Sequence, residues 1–136
     1  MTDLQALILT LLGEARGEPI EGKIAVAMVI RNRVLSKYGG AQTYADVCLA
    51  KAQFSAWTEE AAQMHQADIE LSGGHADPTL AICEEIARAT ITGTLADNTG
   101  GANHYLTTAL LKSTPPNWAK GVTGREIGAQ TFMRLA

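Results

Sequence analysis

Glu14 and Glu18 stand four residues apart in the stretch GEARGEP (13–19), where a leucine-rich run meets a glycine and a proline. A carboxyl group kept partly out of water is disfavoured as an anion, so it can hold a proton and give it to a glycosidic oxygen. Whether either glutamate is so held depends on the helix that carries it. From Asp3 to Arg16 the apolar residues Leu4, Leu7, Ile8, Leu11, Leu12 and Ala15 recur at helical spacing, with Thr2 or Asp3 as cap. At about 100° per residue, Leu4, Ile8, Leu11 and Ala15 share one face and Glu14 falls close to Leu7 at its edge, a partly desolvated place. Arg16 cannot face Glu14, because residues two apart on a helix diverge. Glu18 lies beyond Gly17, so it shares a face with Glu14 only if the helix continues. Taken alone, a glutamate in the last turn of a helix reads as a solvated surface charge.

Other chemistry-bearing residues lie further along. AQFSAW (52–57) brings Gln53, Phe54, Ser55 and Trp57 together. Aromatic faces of this kind pack on sugar rings, and amides bond to acetamido groups, although Phe54 and Trp57 are equally good core residues. His104 and Tyr105 follow the glycine-rich TGGAN, and Trp118 follows two prolines. Each can line a ligand groove or serve packing alone. Cys48 and Cys83 belong to no CxxC or Cys/His cluster and read as buried thiols. His65, His75 and His104 form no HExxH or ligand-like pair with Asp68 or Asp77. A metal- or cysteine-dependent peptidase is therefore a poor fit, and no metal or cofactor is called for.

The elements that must position these residues are mostly helical. A second helix starts at Pro19, a favoured first-turn position, and runs to about Lys37. Its centre, IAVAMVI (24–30), is apolar all round and should be buried on most sides. Tyr38, Gly39 and Gly40 break the pattern. A short helix follows over 43–50, KAQFSAW is extended, and helices over 59–72 and 78–92 flank the turn-rich SGGHAD. After Gly93 the chain is rich in Gly, Asn and Thr, with loops and a few short strands. The expected fold is mainly α, of α+β type, with a small β element in the C-terminal third.

At 136 residues, 46% apolar and 18% charged, the chain suits one packed domain spanning 1–136. Its net charge of -3 and the lack of a basic, aromatic-interleaved stripe give no reason to expect nucleic acid as a partner. The N-terminal apolar run has no basic residues before it and meets Glu14 early, so it reads as a soluble helix, neither a secretory signal nor a membrane span.

Five segments, in order, resemble the cell-wall hydrolases typified by the spore cortex-lytic enzyme, the SleB-type peptidoglycan hydrolases. They are GEARGEPIEGKIAVAMVIRNRV (13–34), AQFSAW (52–57), TGGANHY (99–105), NWAK (117–120) and IGAQTF (127–132). The resemblance implies a compact lysozyme-like domain that cuts peptidoglycan glycan strands between N-acetylmuramic acid and N-acetylglucosamine. It makes Glu14 the catalytic acid. Substrate contacts are then expected from Glu18, Gln53, Phe54, Ser55, Trp57, His104, Tyr105 and Trp118. One carboxyl suffices for a lytic transglycosylase, in which the muramic 6-hydroxyl closes a 1,6-anhydro ring. A hydrolytic muramidase needs a second, with Glu18, Asp77 and Asp97 as candidates. A non-catalytic glycan-binding or virion structural domain is the rival from another class.

The chain departs from the family where Asp97, Asn98 and Thr99 precede the glycine turn, and where Gln130, Phe132 and Met133 replace a histidine and an aromatic pair. A monomer made in the cytoplasm without a signal peptide is expected to act on the wall after release through a holin-type pore or delivery by a phage-like particle.

Overall fold

The computed structural model describes residues 1–50 and 78–136. Helix α1 (Asp3–Ala15) is started by a reciprocal cap: the Thr2 hydroxyl accepts from the Gln5 N–H, and the Gln5 side chain accepts from the Thr2 N–H. It packs against α2 (Ile20–Leu35), α3 (Tyr44–Leu49) and α4 (Pro78–Thr92). Among the described residues three helices pack on it, and every residue from Ala6 to Leu12 is buried, not just one stripe. The expected apolar edge beside Glu14 therefore does not exist. Glu14 is half-buried because it sits where the fully enclosed helix reaches the surface.

Helix α2 begins one residue after Pro19, which is its extended N-cap, and ends at Leu35, short of Lys37. Ala25 to Ile30 are buried, as the all-round apolar sequence requires. The α1–α2 junction is closed by Lys23, whose ammonium donates to the carbonyls of Glu18 and, at 3.2 Å, Arg16. Carbonyls at a helix C-terminus have no partner within the helix, and a cation satisfies both their hydrogen-bonding need and their negative pole. Helix α3 carries a second reciprocal cap, between Thr43 and Asp46.

Among the described residues the C-terminal third contributes β1 (His104–Thr107), the one-and-a-half-turn helix α5 (Thr108–Ser113), β2 (Arg125–Ile127) and β3 (Gln130–Met133). Neither α5 nor the single 3-10 turn at Asn117–Ala119 was expected from the sequence. The strands form an antiparallel sheet in the order β1-β3-β2, with Tyr105 opposite Phe132 and His104 opposite Met133. Gly128 supplies the positive φ, 59°, that the two-residue β2–β3 turn needs at its first position. Side chains alternate across such a sheet. Tyr105 and Phe132 face the helical core, whereas Leu106 and Met133 join Ala119 in a second, smaller cluster. The helix expected over 59–72 and the extended KAQFSAW lie outside the described residues.

Candidate functional site

The site begins where α1 ends. Glu14 lies within electrostatic reach of Tyr105, whose ring is stacked on Phe132 at 5.4 Å between centroids. Burial is the main cause that pushes the Tyr105 hydroxyl well above its ordinary pKa, and the Glu14 charge adds to it, with Arg33 opposing. The phenol therefore stays protonated and can donate toward a carboxylate. The Glu14–Tyr105 juxtaposition joins the first and last thirds of the chain.

Glu18 has a different place. Its carboxylate accepts from the Ala129 N–H at 3.3 Å in the β2–β3 turn, and Gly128 passes so close that an added Cβ would lie 3.1 Å from the Glu18 Oε1. No side chain caps α2. Glu18 ties the α1–α2 junction to the sheet that carries Tyr105's neighbour Phe132.

His104 and Trp118 are not on the Tyr105 side. The His104 ring lies 5.3 Å from Trp118 and 5.6 Å, edge-on, from Tyr38. Its Nε2 is 3.2 Å from the Tyr38 hydroxyl and its Nδ1 2.9 Å from the Asn103 Oδ1. Burial first, and the Arg33 charge second, hold its pKa below the usual histidine value. The Arg33 guanidinium lies over the Tyr38 ring, 4.7 Å from its centroid, while its Nε donates to the Asn103 carbonyl at 2.7 Å. Trp118 remains 45% exposed, which leaves part of its face open to a ligand.

Asp97 decides the shape of the glycine-rich loop. Oδ1 accepts from the Thr99 N–H at 2.8 Å and the Thr99 hydroxyl at 2.6 Å; Oδ2 accepts from the Gly101 N–H at 3.1 Å and the Asn32 amide at 3.0 Å. Burial opposes its charge, but these hydrogen bonds outweigh it and hold the carboxyl below the usual range. The same Asn32 amide donates to the Ala102 carbonyl at 2.9 Å. Gly100 and Gly101, at φ 71° and 87°, let the loop fold back on Asp97, so here the glycines serve the turn itself.

The Asn32-Arg33 pair and TGGANHY, read separately in the sequence, are thus two halves of one hydrogen-bonded junction. In the sequence Tyr38 stands only in a break of the helical pattern, and Asn32 and Arg33 only at the end of an apolar helix. Two adjacent long polar residues at the end of an apolar helix were the available signal. Gln130, Phe132 and Met133, where the chain departs from the family pattern, are buried in β3. Gln53, Phe54, Ser55 and Trp57 lie outside the described residues, as do His65, Asp68, His75 and Asp77. Among the described residues no group of three or more His, Cys, Asp or Glu is placed to hold a metal, and no helix is long and apolar enough to cross a membrane.

The model of the cell wall hydrolase family matches residues 17–133, and the chain belongs to that family, whose members are enzymes acting on peptidoglycan. Glu14 lies three residues before the matched span. Among solved structures, the catalytic domain of the germination-specific lytic transglycosylase SleB from Bacillus anthracis is similar over 97% of this chain and 93% of that one. The sequences are 26% identical and the TM-score is 0.68. The catalytic domain of the Bacillus cereus SleB protein is similar over 97% of this chain and 89% of that one, at 25% identity and a TM-score of 0.68. No curated protein sequence matches.

Proposed function

We propose that the protein is a lytic transglycosylase that cleaves between N-acetylmuramic acid and N-acetylglucosamine, with Glu14 as general acid and then general base. Protonated Glu14 gives its proton to the glycosidic oxygen as the muramic ring takes on oxocarbenium character. As a carboxylate it then takes the proton of the muramic 6-hydroxyl, which attacks the anomeric carbon of its own ring and closes the 1,6-anhydro product. Tyr105, kept neutral by its surroundings, donates toward the carboxylate in the step where Glu14 is charged. The SleB domain from Bacillus anthracis, similar across nearly the whole chain, is named a lytic transglycosylase and supports the same reaction here.

The observation that carries this reading is the half-buried Glu14 beside Tyr105, set against the engagement of Glu18 and Asp97, two of the three carboxylates weighed for a hydrolytic mechanism; Asp77 lies outside the described residues. Asp97 spends both oxygens on its own loop and Asn32, and Glu18 is bonded to the sheet turn. Neither is poised as a nucleophile or as a base for water. Gln53, Phe54, Ser55, Trp57, His104 and Trp118 are proposed to line the sugar groove. Delivery to the wall is proposed to need a pore-forming partner or a phage-like particle, since a net charge of -3 gives no attraction to anionic envelopes. Lysis on expression in a bacterium only when a pore-former is co-expressed is the expected behaviour.

The test is mass analysis of fragments released from purified sacculi. Anhydro-muramic ends are expected from the wild type, and reducing ends would replace the proposal with a muramidase. Glu14→Gln should lower release by about a hundred- to ten-thousand-fold, the usual worth of a general acid–base, with its circular dichroism unchanged. Binding to sacculi with no fragments from the wild type would establish a glycan-binding domain.

A further inference from the structure

Glu18 stands four residues after the proposed acid and takes no part in the chemistry above, yet the protein is built closely around it. Its Cβ lies against Gly22 of α2, where an added Cβ would be only 3.0 Å away. Glycine inside a helix is less stable than alanine, so Gly22 has a packing reason to be there. At its other end the side chain meets Gly128, where an added Cβ would lie 3.1 Å from the Glu18 Oε1 and 3.1 Å from the Pro19 Cδ. Glu18 thus passes between two residues that lack a Cβ, one in a helix and one in the β2–β3 turn, and ends on the Ala129 N–H at 3.3 Å. Few rotamers fit that passage.

The backbone around it is held as well. The Glu18 N–H donates to the Ala15 carbonyl at 3.0 Å, and the carbonyls of Arg16 and Glu18 both accept from the Lys23 ammonium. The link that carries the chain out of α1 is therefore fixed to α2 through its backbone and to the sheet through the Glu18 side chain. Glu14 occupies the last turn of α1, directly before this link. On the sheet side, Ala129 leads into β3, whose Phe132 stacks on Tyr105. Glu14 and the phenol beside it are thus joined by a second route, through Glu18, Ala129 and Phe132.

We propose that Glu18 is a positioning residue, which holds the α1–α2 junction on the β2–β3 turn and so keeps Glu14 in place beside Tyr105; the inference rests on the cleavage reading above. What this role requires is reach. A glutamine has the same length and its amide oxygen accepts the same N–H, whereas an aspartate keeps the charge and falls one methylene short. A displacement of about 1 Å in a catalytic group can cost on the order of a hundredfold in rate, so a tie that never touches substrate can govern kcat. A side chain gripping the sugar would act on KM instead.

The experiment measures kcat and KM on soluble glycan strands for the wild type, Glu18→Gln, Glu18→Asp and Glu18→Ala, with folding checked by thermal denaturation. Glu18→Gln should stay within about threefold of the wild-type kcat, the difference between a charged and a neutral acceptor. Glu18→Asp and Glu18→Ala should lose about ten- to a hundredfold in kcat with little change in KM. Tyr105→Phe should lower kcat less than about threefold further when combined with Glu18→Asp, because a displaced Glu14 no longer receives the phenol's bond. The Gln and Asp variants keep the test decisive if Glu18→Ala is unstable. Full kcat in Glu18→Asp, a loss in Glu18→Gln as large as in Glu18→Ala, or a rise in KM at unchanged kcat would overturn the positioning role and leave cleavage standing. Effects of Tyr105→Phe and Glu18→Asp that simply multiply would do the same. Full activity in Glu14→Gln, or no product from the wild type, would overturn the cleavage reading and this inference with it.

Discussion

Tyr105 and His104 are neighbours in the chain and face different environments. Strand alternation turns Tyr105 toward Phe132, the helical core and Glu14, and turns His104 toward Tyr38 and the half-exposed Trp118. The first environment packs on the helical core and holds one half-buried carboxylate beside a phenol. The second is open, rich in rings and next to a cation. Proton transfer benefits from the first, because charge interactions gain strength away from water. Recognition of a long, flexible polymer suits the second, where partly exposed rings offer broad faces at small cost in order. A site dividing these tasks across a strand only four residues long depends on that strand's register.

Four changes break or sharpen the division. Tyr105→Phe keeps the ring on Phe132 and removes only the hydroxyl. It should lower kcat about ten- to a hundredfold, the worth of a hydrogen bond to a charged group, with little change in KM, measured as fragment release from sacculi. If KM moved and kcat did not, Tyr105 would belong with the binding face.

Asp97→Asn puts an amide among donors that expect a carboxylate. It should cost about 1–3 kcal/mol of stability, read from the denaturant midpoint. The wild-type loop should also weaken in acid. The Asp97 pKa is depressed on folding, so its contribution is present above the unfolded value near 3.9 and is lost as the pH falls through the folded one. Asp97→Asn removes that acid limb.

Trp118→Ala should raise KM several-fold, since an aromatic–ligand stack is worth about 1 kcal/mol, and leave kcat within a factor of two, measured by steady-state kinetics on soluble glycan chains. A loss confined to kcat would place Trp118 with the chemistry.

The smallest effect belongs to His104. Its folded pKa is depressed by burial and by Arg33, so it opposes protonation, and stability present above the unfolded value near 6.5 declines as the pH falls below it. His104→Phe, which keeps a ring against Tyr38 and Trp118 but loses the bonds to Tyr38 and Asn103, should flatten this slope between about pH 6.5 and 5 on top of a loss that does not vary with pH. An unchanged slope would mean that another group titrates there.

The sequence located α1, α2, α3 and α4 to within a few residues, because helix-spaced leucines, Thr2 as a cap, and Gly17 and Pro19 as stops are local signals. It misjudged how α1 is buried. A stripe drawn from Leu4 to Ala15 assumes one covered face, and nothing within the helix says that α2, α3 and α4 enclose it. It also missed α5, which follows β1 directly within a stretch read as loops and short strands.

The amino-acid sequence by itself determined the local matters, helical content and where the helices start and stop; the single domain and the catalytic part proposed for Glu14 rest on it as expectations. Only the tertiary structure decided which of the remaining residues keep it company. Asn32 and Asp97, or Glu18 and Ala129, meet across 65 and 111 positions of chain. The split between Tyr105 and His104 follows from strand alternation, but which face meets Glu14 was set by how the sheet docks on the helices. These are long-range choices made by packing the whole core at once, and no short window of sequence encodes them.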